Sequence, residues 1–525
     1  MSNSEEFKKV IDKGYTFKGD YITLGGAMYE GQCIKDTLVK VPLKTLNRHG
    51  LIAGATGTGK TKTLQVLAEN LSDKSIPVLL MDLKGDLSGL ARSSAGHPKI
   101  DERHEQIGIS WNPSEYPVEL LTISKQNGVR LRSTVSEFGP VLFSKILDLN
   151  DTQTGVVSLI FKYCDDNGLP LLDLKDFKKA VQYITNEGKK EIEKEYGRIS
   201  TASTGAIIRK IIEIEQQGAE LFFGEKSFEV DDLLKIDQKG RGKINILRLT
   251  DIQDKPKMFS TFMLSLLAEI YSSFPEEGDL DCPKLVIFID EAHLVFDQAS
   301  SALLEQIEMI IKLIRSKAVG IYFCTQTPRD IPDSVLSQLG MKVQHALRAF
   351  TAKDRKTIKM IAQNYPDSKF YDTNKVLTSM GIGEALITVL NEKGIPTPLA
   401  ATLLRAPKSR MDILSNSEIT QTIDSSRLVK KYNETLDRES AYEMLERKIL
   451  DFKEEEKQKE IKKQQVKIEK QRKKESKSSS IINSTFGRQI GRTVAREVTR
   501  GILGVLGLGG KTRRRRRKKP SFSWF

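Results

Sequence analysis

Residues 50–61, Gly50-Leu51-Ile52-Ala53-Gly54-Ala55-Thr56-Gly57-Thr58-Gly59-Lys60-Thr61, decide the fold. The last eight satisfy G-x-x-x-x-G-K-[ST], a loop whose glycines let the backbone curl until successive N–H groups point at phosphate oxygens. The apolar run GLIA before it reads as a strand, and Lys62–Asn70 (KTLQVLAEN) after it reads as a helix whose N-terminus adds the positive end of its dipole. This context weighs against an ordinary glycine-rich turn. The spacing assigns phosphate binding to Gly54, Ala55, Thr56, Gly57, Thr58, Gly59, Lys60 and Thr61. Lys60 would reach the β- and γ-phosphates of ATP, and the Thr61 hydroxyl would ligate Mg²⁺.

A second stretch, Leu285–Ile289 (LVIFI), has the β-branched and aromatic composition of a parallel strand buried on both faces. It delivers Asp290 and Glu291 to the strand's carboxyl end, where α/β proteins bind ligands. Asp290 is the expected Mg²⁺ ligand through water, and Glu291, pointing the other way, the group that polarises the water attacking the γ-phosphate. Two acids after a strand could also be a plain helix start, since acids favour that position. Nucleotide kinases, whose acceptor is not water, have no need of the adjacent Glu. A third strand, Ile321–Cys324, ends in Thr325-Gln326, and Gln326 could touch the γ-phosphate or the attacking water, or be a surface residue.

Further strands are expected at Pro77–Asp82, Ile244–Leu249, Lys342–Leu347 and Glu384–Leu390, with helical periodicity between them. This is the pattern of an α/β fold with a parallel-dominated sheet flanked by helices. Residues 101–240 read as a large helical insertion in the sheet order. The expected organisation is a strand-rich lead-in over 1–48, an ATPase domain over 49–410, a charged helical region or linker over 411–475 and a basic tail over 476–525. Tyr442, Leu445, Ile449 and Phe452 are spaced for one face of a helix, Glu454–Lys474 reads as a solvated helix or linker, and Ser476–Ser480 as a flexible joint.

The chain of 525 residues carries 83 Lys+Arg against 69 Asp+Glu, a net charge of +14. Residues 461–525 alone hold 20 basic and 3 acidic residues, net +17, which leaves the body at −3. The basic character therefore belongs to the tail. Arg488, Arg492, Arg496 and Arg500 recur every four residues beside an apolar series, Ile490, Val494, Val498 and Ile502. That is an amphipathic helix with a cationic stripe, and Arg513–Lys519 (RRRRRKK) follows it. Residues 484–525 suit a phosphate backbone, an anionic membrane surface or a protein partner, or form a solvated tail. Cys33, Cys164, Cys282 and Cys324 stand far apart with no metal-ligand spacing, so no structural metal is expected. No apolar run approaches the ~20 residues of a membrane span, and the N-terminus lacks a signal-peptide layout, so a cytoplasmic protein is the expectation.

The blocks GLIAGATGTGKTKTLQ, LLMDLKGDLSGLA, RSTVSEFGPVLFSKILDLNDTQTGV, LVIFIDEAHLVF, CTQTPRDIPDSVLSQLGMKVQHALRAFTAKD and PTPLAATLLRAPKSRM together resemble the bacterial HerA-like ATPases. These belong to the HerA/FtsK group of ring-forming P-loop motors. The resemblance spans about residues 21–411. It implies an additional-strand P-loop NTPase fold of RecA type, a hexameric ring, ATP with Mg²⁺, and ATP-driven movement on double-stranded DNA as a translocase or helicase. It gives catalytic roles to Lys60, Glu291 and Gln326. It also implies an arginine supplied by the neighbouring subunit, with Arg348 the first candidate and Arg329 the second. About 50 residues precede the loop, too few for the N-terminal β-barrel of HerA itself. DNA movement is thus implied by family analogy. The rival expectation is an ATP-gated assembly or scaffold protein acting on a protein partner or at a membrane surface.

Overall fold

In a computed structural model, which describes residues 3–278, 280–297, 301–434, 436 and 438–478, twelve strands form one sheet. In chain order they are β1 (Tyr21–Tyr29), β2 (Gln32–Pro42), β3 (Gly50–Ala53), β4 (Val78–Asp82), β5 (Val118–Thr122), β6 (Val129–Arg130), β7 (Ile244–Arg248), β8 (Leu285–Ile289), β9 (Val319–Thr325), β10 (Met341–His345), β11 (Glu384–Thr388) and β12 (Ala400–Leu404). Their order across the sheet is β2-β1-β12-β11-β10-β3-β9-β8-β4-β7-β5-β6. From β10 to β6 every pairing is parallel, and from β2 to β10 every pairing is antiparallel. β9 lies between β3 and β8, so an additional strand separates the glycine-rich loop from the two acids.

Alternation along the central strands explains why both faces are covered. Ile287 and Ile289 of β8 and Ile321 and Phe323 of β9 face one core, while Val286, Phe288, Tyr322 and Cys324 face the other. Phe288 and Tyr322, one from each strand, pack with ring centroids 5.2 Å apart. The first core is roofed by α4 (Val135–Ile146), α5 (Asp151–Asp166), α6 (Leu174–Thr185), α7 (Lys189–Glu195), α8 (Thr201–Gln216) and α9 (Pro256–Ser273). The second is roofed by α1 (Asn3–Gly14) and α2 (Lys60–Asp73). The remaining early helix, α3 (Pro98–Ile107), packs on β1 and β2.

The stretch read as a helical insertion, residues 101–240, is not wholly helical. It contains β5 and β6, which extend the parallel edge of the sheet before the helices α4 to α8 begin. β5 carries a buried acid, Glu119, paired with Lys243 at the start of β7, and that interrupting charge hides the strand from an apolar-run reading. β1 and β2 lie in the same sheet as the loop strand, joined to it through β12, β11 and β10.

The chain divides into two compact units, Met1–Ile449 and Leu450–Phe525. The helix Ala441–Ser478 begins in the first, where Leu445 and Ile449 are buried, and continues to Ser478, with residues 450–472 exposed. The segment expected as a solvated helix or linker is thus helical, and the joint expected at Ser476 falls inside the helix as far as Ser478. The arginine series and polycationic run expected at 484–525 lie outside the described residues. Among the described residues no helix is long and apolar enough to cross a membrane, the four cysteines are free thiols, and no cluster of three or more His, Cys, Asp or Glu suits a metal ion.

Candidate nucleotide site

The loop after β3 is held by the strands on both sides of it. Gly54 N–H donates to Thr325 O of β9 at 3.3 Å, and Ala55 N–H to Ala346 O beyond β10 at 2.9 Å. The loop then needs backbone shapes that side chains oppose: Gly54 has φ 156°, Gly57 77° and Gly59 111°. A Cβ on Gly54 would come 2.5 Å from the His345 Cβ, so glycine is required there for close approach as well as for curvature. Thr58 closes the turn through its hydroxyl to Ala55 O at 2.7 Å. α2 begins at Lys60, where the first N–H groups of a helix lack intrahelical partners.

Lys60 is 6% exposed, and its ammonium donates to Gly54 O at 2.7 Å and Ala55 O at 3.2 Å. Burial, assisted by the like charge of Lys84, pulls it below the usual lysine range, while Asp290 and Glu291 pull the other way. Thr61 is half-buried on the first turn of α2. His345, at the end of β10, accepts or donates at 2.9 Å with the Thr63 hydroxyl, and burial pushes it down to about 4.

Asp290 leaves β8 2% exposed, and its Oδ2 is buried without a hydrogen-bond partner among the described residues. Burial holds it above the ordinary carboxylate range against the pull of Lys84. Its Oδ1 accepts the Glu291 N–H at 3.0 Å. Glu291, 7% exposed, sits at φ 46°, in the left-handed region that non-glycine residues seldom adopt. One of its carboxylate oxygens pairs with Lys84, and the other lies 3.3 Å from His293 Nδ1 without hydrogen-bond geometry. The structure thus brings together Lys60, Asp290 and Glu291.

Gln326 follows β9, the strand between loop and acids, and is exposed. Arg348 is exposed three residues past β10 and makes no hydrogen bond or ion pair with a described residue. Arg329 is exposed against the helix Ala352–Ala362, 3.5 Å from Thr357 Oγ1. None of these three is drawn into the buried cluster.

Sequence reasoning missed Asp82 and Lys84 on the neighbouring strand end. Asp82, opposite the acids through the β4–β8 pairing, accepts N–H groups from Gly85, Asp86 and Leu87 at 2.7, 3.3 and 3.2 Å. Burial, reinforced by Asp86, pushes it up to about 7. The D-x-K-G-D run at 82–86 was the available signal, since an acid followed by Gly at that spacing favours a loop closed on its own N–H groups.

The loop, the additional strand and the paired acids correspond to a known profile: that of the helicase HerA-like C-terminal family matches residues 29–514. The chain belongs to this HerA-like family. It is 25% identical over 360 residues to the DNA double-strand break repair helicase HerA of Sulfurisphaera tokodaii, covering 67% of this chain and 64% of that protein. To a probable helicase of Methanocaldococcus jannaschii it is 26% identical over 385 residues, covering 67% and 65%. The HerA-like chain therefore spans slightly less than two thirds of the length of these relatives. Its fold is that of the bacterial conjugative coupling protein TrwB, with a TM-score of 0.52 at 14% identity over 78% of this chain and 94% of that one. A TrwB structure in complex with a non-hydrolysable ATP analogue superposes at a TM-score of 0.50, with 14% identity, covering 79% and 96%.

Proposed function

We propose that the chain is an ATP-hydrolysing motor working in the cytoplasm as a hexameric ring that couples hydrolysis to movement on duplex DNA. The observation that carries this reading is the convergence of Lys60 with the buried Asp290–Glu291 pair across β9. A loop that cradles phosphates, set beside an acid able to activate water, is the equipment of a hydrolase rather than of a kinase.

In this reading the loop over residues 54–61 binds the phosphates, with N–H groups beyond Ala55 pointing at them because those of Gly54 and Ala55 are spent on Thr325 O and Ala346 O, and Lys60 exchanges its two loop carbonyls for phosphate oxygens. The donor set fits Mg²⁺: the Thr61 hydroxyl would ligate the ion, and Asp290, whose buried Oδ2 has no hydrogen-bond partner among the described residues, is a hard oxygen that would hold it through water. When bound, the ion neutralises charge on the transferring phosphoryl group. Glu291 orients the attacking water and takes its proton. Gln326 reports the γ-phosphate to β9, and Arg348, exposed and without a partner among the described residues, is offered to the site of a neighbouring subunit, with Arg329 second. The relatives named as HerA helicases support DNA as the polymer.

The test is ATP hydrolysis by the full chain with and without duplex DNA. Stimulation of several-fold, falling steeply as salt rises, is expected of a DNA motor. Hydrolysis indifferent to DNA at low salt would leave the ATPase standing and remove the motor, favouring an ATP-gated scaffold.

A further inference from the structure

Lys84 places a second ammonium at the acid end of the site, and the surrounding chain is built to deliver it there. The residues on either side of it are both pinned. Leu83 O accepts from the Gln253 side chain, and Gly85 N–H donates to Asp82 at 2.7 Å. Gly85 has φ 79°, and a Cβ there would lie 2.8 Å from Thr250 Cγ2, so the loop can close against residues 249–251 only with glycine at that position. From this loop Lys84 reaches across from β4 to β8 and pairs with Glu291 Oε1. Its side chain keeps 37% of its exposure, against 10% for Glu291, so the ammonium faces the open side of the pair. The Lys84 charge also acts on both Asp290 and Lys60, which places it within electrostatic reach of the position a γ-phosphate takes when Lys60 holds it.

Two anions therefore have a claim on one cation. With Oε1 held by the Lys84 ammonium, the plane of the Glu291 carboxylate is fixed by the pair, and only Oε2, which has no hydrogen-bond partner among the described residues, is left to meet a water molecule. We propose that Lys84 is a second phosphate-binding cation for which Glu291 and the terminal phosphate of ATP compete. A triphosphate, unlike a diphosphate, draws the ammonium off Glu291 and frees that carboxylate to orient water. The water oxygen then bonds the γ-phosphorus as the bond to the β,γ-bridging oxygen breaks. The water proton passes to Glu291, and ADP and inorganic phosphate leave. Lys84 would in this way confine an active base to the state in which there is something to cleave. The inference rests on the ATPase reading of the same site.

The test compares Mg²⁺-dependent binding of ADP and of a non-hydrolysable ATP analogue, together with ATP turnover, in the full chain and five variants. Lys84→Met should weaken the analogue by about tenfold while leaving ADP within about twofold, and kcat should fall, since a charge-assisted contact to phosphate is lost. Lys84→Arg should retain most of the discrimination. Glu291→Gln removes the competitor, so it should tighten the analogue several-fold, and that gain should vanish in the Lys84→Met/Glu291→Gln double variant. An unchanged ratio of analogue to ADP affinity in Lys84→Met would overturn the proposal. So would equal weakening of both nucleotides, which marks a merely structural residue, or a gain in Glu291→Gln that survives loss of Lys84. Lys60→Ala separates the two levels. If the wild type hydrolyses ATP and Lys60→Ala does not, a failed Lys84 test sinks only the Lys84 proposal. If the wild type neither binds nor cleaves ATP, both readings fall.

Discussion

The sheet has a parallel part of eight strands, β10 to β6, and an antiparallel part of four, β2, β1, β12 and β11, and the two contribute differently to one site. In the parallel part the strands point their carboxyl ends the same way, so β3, β8 and β4 bring the loop, Asp290–Glu291 and Asp82–Lys84 to one edge. Every titratable group of the reaction proposed here comes from that edge. The antiparallel part supplies fasteners. Gly383, entering β11, donates its N–H to Thr58 O at 3.0 Å. Beyond β12 the segment Arg405–Met411 runs along α2. Glu69 of that helix accepts N–H groups from Lys408 and Ser409 at 2.8 and 2.9 Å, and Gln65 donates to Ser409 Oγ and Arg410 O, both at 2.8 Å. One half therefore holds the reactive groups, and the other fixes the helix that carries Lys60 and Thr61.

If that division is right, substitutions in the two halves should fail in different ways. The largest effect is expected from Lys60→Ala in the parallel half, which should reduce ATP turnover to background while leaving the thermal unfolding midpoint close to that of the wild type. Turnover that survives would break the comparison at its reactive end.

Acid should act next, through His49 beside β3. Its Nδ1 accepts the Ile321 N–H at 3.0 Å, so Nε2 is the protonated nitrogen that donates to Ile311 O at 2.9 Å. Burial pushes its pKa down to about 4. The folded chain keeps this ring neutral while the unfolded chain protonates it near 6.5, so its stabilisation is complete above about pH 6.5 and is lost as pH falls toward 4. The loss should be on the order of 3 kcal/mol, read from denaturant midpoints across that range, and His49→Gln should flatten the slope.

The smallest of the three is Glu69→Ala in the fastening half. The buried N–H groups of Lys408 and Ser409 lose their acceptor, at a cost of about 2 kcal/mol in unfolding free energy. Turnover at saturating ATP below the unfolding temperature should change by less than about threefold. A loss of turnover as deep as that of Lys60→Ala would show that the fastening half takes part in the chemistry and would erase the distinction.

Apolar continuity along the chain, more than that division, governed what could be read from the sequence: β11 of the antiparallel part was legible and β5 of the parallel part was not. β3, β8 and β9 were legible because a parallel strand buried on both faces is a continuous apolar run, and the loop and acids sit directly at the ends of such runs. β2 was not, because QCIKDTLVKVP mixes exposed charges with buried residues, and β12 is a short Ala-Ala-Thr-Leu-Leu with little to mark it. β5 was masked by Glu119, whose partner Lys243 lies 124 residues away. Lys84 stood in plain view in LLMDLKGDLSGLA, yet a loop lysine reads as a solvated charge. Its partner Glu291 becomes visible only when β4 and β8 are known to be neighbours. Gln326 and Arg348 follow β9 and β10 and are exposed, so the fold alone gives neither of them a partner in the buried cluster.

The central claim, that the loop and the acid pair form one hydrolytic site, is tested most directly by Glu291→Gln in a single-turnover experiment with Mg²⁺ and radiolabelled ATP. Because Asp290 and the loop are untouched, the variant should retain ATP at least as tightly as the wild type while cleavage slows by about 10²–10⁴-fold, the usual contribution of a positioned base. Cleavage at the wild-type rate with ATP bound at the same loop would remove Glu291 from the reaction and contradict the account.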